Sequence, residues 1–112
     1  MTLKIPKKVP KPGFYYHYKH DPKKDLGNYA YEVIGVGYHT EDDCKKEDKN
    51  MVVYRPLYKS SVYEAGKFFD IRPLSMFLEK ITKEGKTFNR FKKITNKNTI
   101  KKLEKIKRGM YK

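Results

Sequence analysis

Met51-Val-Val-Tyr-Arg-Pro-Leu-Tyr58 is the run on which the fold turns. Side chains of an extended chain alternate between two sides. Met51, Val53, Arg55 and Leu57 then share one side, and Val52, Tyr54, Pro56 and Tyr58 the other. Both sides are largely apolar, which predicts a strand buried in a small sheet or barrel. Pro56 has no N–H for a ladder, so it marks a bulge or an outward-facing edge position.

Working outward, the flanking segments also read as short strands between turns. Towards the N-terminus, Tyr29-Ala-Tyr-Glu-Val-Ile-Gly-Val-Gly-Tyr-His39 predicts a long strand. Strict alternation puts Tyr31, Val33, Gly35, Gly37 and His39 on one face. Two glycines there leave a gap that a helix, a strand or a ligand can enter. Before it, Phe14 to Lys19 is an aromatic strand, and residues 20–28 hold the turn signals Asp-Pro and Gly-Asn. Residues 40–50 form a loop of mixed charge.

Towards the C-terminus, residues 59–66 read as a turn containing one helical turn at 62–65, and Lys67–Ile71 as a fourth strand. Pro73 suits the first position of a helix. Leu74, Phe77, Leu78 and Ile81 follow at helical spacing, which predicts a helix of about two turns. Lys83-Glu-Gly-Lys86 is a turn and Thr87–Ile94 a last strand. Asn96 or Asn98 caps a final helix from near Thr99, with a narrow stripe of Ile100, Leu103, Ile106 and Met110. Short strands at close spacing predict a mainly β fold. The specific expectation is a small SH3-like antiparallel β-barrel or roll, with a short helix after Pro73 and a basic C-terminal helix.

The chain has 112 residues, enough for one domain, and a formal charge of +14. That charge is concentrated at the ends. Residues 1–12 hold four lysines and no acid. Residues 97–112 hold seven basic residues and one acid. The expected organisation is a Pro/Lys-rich arm over 1–12, a barrel over 13–95 and a basic helix over 96–112. Polyanions are natural partners of such ends. The one cysteine, Cys44, excludes an internal disulfide and fits a reducing compartment. No apolar run approaches the roughly 18 residues of a membrane span. A cytoplasmic location is expected.

Tyr16-His-Tyr-Lys19, Tyr31-Glu-Val-Ile-Gly-Val36, His39-Thr-Glu41, Val52-Val-Tyr-Arg-Pro-Leu-Tyr58, Ile71-Arg-Pro-Leu-Ser-Met-Phe77 and Arg90-Phe91 occur in that order. As an ordered set over residues 13–94 they resemble a small, mostly bacterial family of unknown function, DUF1653. The resemblance implies a compact SH3-type barrel and carries no established activity. Its recurrent positions fall here on Tyr16, His17, Tyr31, His39, Glu41, Tyr54, Leu57, Tyr58, Arg72, Pro73, Met76 and Phe77. The chain departs from the pattern at Pro56, at Asp70 and in its basic ends.

Several residue groups are candidates for chemistry. His39 and Glu41 share a face of a continuing strand. With His17, Tyr54 and Arg72 they define an expected ligand pocket beside Gly35 and Gly37. As a catalytic group, His39 would need a pKa near neutral and a substrate pocket. The plainer alternative is a strand-end histidine bonded to loop backbone. Arg72 presents the same fork of donors to a structural carboxylate or to a bound anion. Three His and one Cys without paired spacing give no metal site, and no cofactor is expected. Gly35-Val-Gly37 is not a phosphate loop, since a third glycine and a following helix are missing.

The charge layout favours a non-catalytic nucleic-acid-binding module of low specificity. Lys4, Lys7, Lys8, Lys101, Lys102, Lys105, Lys107 and Arg108 would neutralise phosphates, while tyrosines contact bases or sugars. One alternative is a protein- or small-ligand-binding module using the Gly35/Gly37 face with His39 and Arg72. Another is an enzyme acting on a nucleotide-like small molecule. Oligomeric state is open at this level.

Overall fold

The computed structural model describes residues 9–41, 43–46 and 49–112. In chain order the elements are β1 (Gly13–His17), β2 (Ala30–Tyr38), β3 (Asn50–Pro56), α1 (Ser61–Gly66), β4 (Asp70–Pro73), α2 (Leu74–Phe77), β5 (Lys80–Lys83), β6 (Lys86–Asn89), β7 (Phe91–Lys93) and α3 (Lys97–Met110). Five strands form one antiparallel sheet in the order β4-β3-β2-β1-β7, and β5 with β6 forms a separate hairpin. The protein is therefore mainly β, with a C-terminal helix. Its sheet is open rather than closed, since the ladder ends at β4 on one side and β7 on the other.

Each face of the sheet carries its own core. On one, Tyr15, Val33, Val52, Tyr54 and Phe91 pack under Leu74 and Phe77 of α2. The Phe77 and Phe91 rings stack at 4.2 Å, and Tyr15 and Tyr54 meet Phe77 edge-on. On the other, Phe14, Ala30, Leu57 and Ile94 pack under Leu103, with Ile100 and Ile106 beside it. Strand β1 alternates Phe14 and Tyr15 into the two cores, as its period of two requires.

Helix α3 starts where an Asn cap is expected: the Asn96 side chain accepts from the Thr99 N–H at 3.0 Å. A half-buried ionic trio ties it down. Glu32 on β2 accepts from Arg55 Nε of β3 at 2.8 Å and from Lys107 Nζ of α3 at 2.8 Å. The Arg55 guanidinium lies 4.0 Å from the Tyr111 ring centre, and the Tyr111 hydroxyl donates to the Pro56 carbonyl. The helix is thus a structural layer as well as a basic segment.

Four local expectations change. The strand expected at Lys67–Ile71 lies at Asp70–Pro73, because α1 runs to Gly66 and Lys67 ends it in the left-handed region (φ 57). The helix after Pro73 stops after one turn, and Ile81 pairs with Phe88 in the hairpin instead. The strand expected over Thr87–Ile94 breaks at Arg90 into β6 and β7, which belong to different sheets. The irregularity expected at Pro56 sits in β2. Val33 pairs with Tyr54 and Gly35 with Val53, so Ile34 is an inserted bulge residue.

Candidate nucleic-acid interface

The bulge at Ile34 decides where the expected pocket residues go. It reverses the alternation of β2. Tyr31, Val33 and Val36 face the α2 core, while Gly35 and Gly37 turn to the opposite face. There a Cβ added at Gly35 would meet nothing within 4 Å, and one at Gly37 would touch Val53 Cγ2 at 3.8 Å. Among the described residues no element fills the glycine gap, and Ile71, across Val53 on the same face, is 64% exposed.

His17, Tyr54 and Arg72 do come together on the α2 face. Arg72 Nε donates to the Tyr54 hydroxyl at 3.3 Å, and its guanidinium lies 5.7 Å from the Phe91 ring. The His17 ring meets Phe91 edge-on at 5.0 Å. Burial, helped by the nearby charges of Arg90, Arg72 and Lys19, lowers the His17 pKa to about 4. The ring is therefore neutral at pH 7, and its Nδ1 accepts the Lys19 N–H at 3.2 Å. His39 and Glu41 are elsewhere. They follow the far end of β2, roughly 30 Å of extended strand from the His17 end. His39 Nδ1 accepts the Glu41 N–H at 3.1 Å, and the His39 N–H donates to the Lys49 carbonyl. The expected seven-residue pocket is thus divided among three places by one inserted residue and one strand length.

Among the expected phosphate contacts, Lys101, Lys102, Lys105 and Arg108 are exposed on α3. Lys107 is committed to Glu32 and reaches over the Phe14 ring, so its charge serves the core. Lys4, Lys7 and Lys8, with most of the arm over 1–12, lie outside the described residues. Among the described residues no group of three His, Cys, Asp or Glu is placed to hold a metal, and no helix is long and apolar enough to cross a membrane.

A concave surface that the sequence reading did not assemble runs beside the end of β1. A cavity of about 370 Å³ lies between Tyr16, His17 and Tyr18 on one side and Phe88, Asn89 and Lys92 on the other. A second, of about 480 Å³, shares Tyr18 and Phe88 with it and adds Lys19, Lys83, Lys86 and Glu84. A third, of about 280 Å³, shares Tyr16 and Lys92 with the first. It extends past Lys93 to Asn96 and Thr99 at the start of α3. Together they form a groove lined by Lys19, Lys83, Lys86, Lys92 and Lys93 with Glu84 as the acid. Tyr16 is fixed within it: its ring stacks on His20 at 3.6 Å and its hydroxyl donates to the Leu26 carbonyl. The signal that could have found it is the spacing of Lys86 and Phe88, which share one side of a strand only once β6 is recognised.

A small open antiparallel sheet with a basic, aromatic groove at one end is the class of domain that the geometry defines. Residues 13–93 match the family described as a protein of unknown function, DUF1653, and the chain belongs to that family. No curated protein and no solved structure matches it.

Proposed function

We propose that the chain is a non-catalytic nucleic-acid-binding module that grips the phosphate backbone in this groove. The observation that carries the reading is the groove's lining of five lysines, one acid and aromatic rings, which reaches Asn96 and Thr99 at the start of the basic helix α3. Lysines spaced along a groove neutralise successive phosphates, and the released counterions supply affinity with little sequence preference. The scaffold reads as an SH3-like roll left open at its β4 and β7 edges, consistent with a strand order in which the last strand returns to the first. The proposed setting is the cytoplasm, where Cys44 stays a thiol.

The test is binding of labelled oligonucleotides by the full chain across a salt series. If about five phosphates are contacted, log K falls with log salt at a slope of about −3.5 for a single strand and about −4.5 for a duplex. Lys83→Ala combined with Lys92→Ala should make the slope shallower by about 1.4 for a single strand and about 1.8 for a duplex. No measurable binding at low salt, or a slope unchanged by the groove variants, would sink the proposal.

A further inference from the structure

The β5–β6 hairpin makes its ladder only with itself. It joins the main sheet at its base, where the Arg90 N–H donates to the Glu79 carbonyl and the Tyr18 N–H to the Arg90 carbonyl. Its tip is a two-residue turn with Glu84 at φ 53 and Gly85 at φ 75, the primed geometry that closes tight hairpins. That turn sets Lys83 and Lys86 opposite one another in the ladder. Phe88 is 43% exposed and belongs to neither core. With Tyr18 it walls both of the larger cavities.

We infer that the hairpin is a clamp for single-stranded nucleic acid, with unpaired bases stacking on Phe88 and Tyr18 while Lys83 and Lys86 hold the flanking phosphates. This rests on the nucleic-acid reading above and narrows it. In a duplex the faces of the bases are already stacked on each other, so rings recessed in a cleft meet only backbone and base edges. An unpaired strand offers its faces, and every base has one, so the contact is tolerant of sequence. Among the described residues Phe88 stacks on no other ring, and its cross-strand neighbour Ile81 still leaves it 43% exposed. An aromatic wall in a lysine-rimmed cleft is the arrangement that such a strand requires.

The experiment compares the full chain with Phe88→Ala, Phe88→Tyr and Lys86→Ala, each titrated against a labelled oligothymidylate and a mixed-sequence duplex of equal length. Phe88→Ala should weaken single-strand binding about tenfold or more and change duplex binding less than about twofold. Phe88→Tyr should restore the loss, and Lys86→Ala should weaken both forms. Far-ultraviolet circular dichroism of the variants checks that the hairpin substitution leaves the fold in place. If Phe88→Ala has no effect on the single strand while Lys86→Ala still weakens both forms, the clamp is overturned and the basic-groove reading stands. If wild type binds neither form, both fall.

Discussion

The two faces of the sheet are closed by different kinds of cover. The α2 face is sealed by rings: Tyr15, Tyr54, Phe77 and Phe91 interlock, and the covering helix is a single turn. The α3 face is covered, except over Gly35 and Gly37, by a 14-residue helix with aliphatic contacts and an ionic trio. The first cover lies inside the family-matched residues 13–93; the second lies beyond them. Interlocked rings need little added chain, whereas small side chains such as Ala30 need a whole helix to bury them. The sheet itself therefore does not dictate how its faces are covered.

The most forceful way to break that comparison is to remove one anchor from each side. Phe77→Ala should cost about 4 kcal/mol and Leu103→Ala about 3 kcal/mol, both read by chemical denaturation. A Leu103→Ala change near zero would mean that α3 only rests on the sheet. Next in size, Glu32→Gln should cost about 2 kcal/mol, because it leaves Arg55 and Lys107 half-buried with a weaker partner. The α2 face should be unaffected, as near-ultraviolet circular dichroism of its rings would report.

A smaller effect comes from His17. Its pKa is about 4 in the folded protein and about 6.5 unfolded. Between those values the unfolded chain binds the extra proton. Stability present above pH 6.5 is therefore lost as pH falls towards 4. About 1 kcal/mol is expected, after allowance for the ring's remaining contact with water. His17→Gln should flatten that part of the stability–pH curve without touching the α3 side. Smallest of all, Gly35→Ala meets open space and should change stability by less than about 1 kcal/mol, with oligonucleotide binding unaltered. A large loss there would return the glycine face to consideration as a binding surface.

The elements with one clear period were legible in the sequence. Strand β3 alternates, and α3 shows both its stripe and its Asn96 cap. Leu74–Ile81 fits a helix by spacing alone. What stops it is Phe88, which draws Ile81 into a ladder across a turn, and local spacing carries no trace of a partner seven residues on. The site was harder for the same reason. His17, Tyr54 and Arg72 do meet, but Gly35 and Gly37 were assigned by uninterrupted alternation. The groove stays hidden in the sequence because half of it is the hairpin, which local spacing divides among a helix to Ile81, a turn at 83–86 and a strand from Thr87.

Ile34 gives β2 a missed beat. Residues 30–33 and 35–38 run along one line yet count from different origins, so odd numbers face the α2 core before the break and even numbers after it. A scan of tolerated substitutions along β2 should therefore show a rhythm of two that skips once. Deleting Ile34 would remove the skip and leave the glycines where they are, opposite the rings, because Gly35 already pairs with Val53 and Gly37 with Met51.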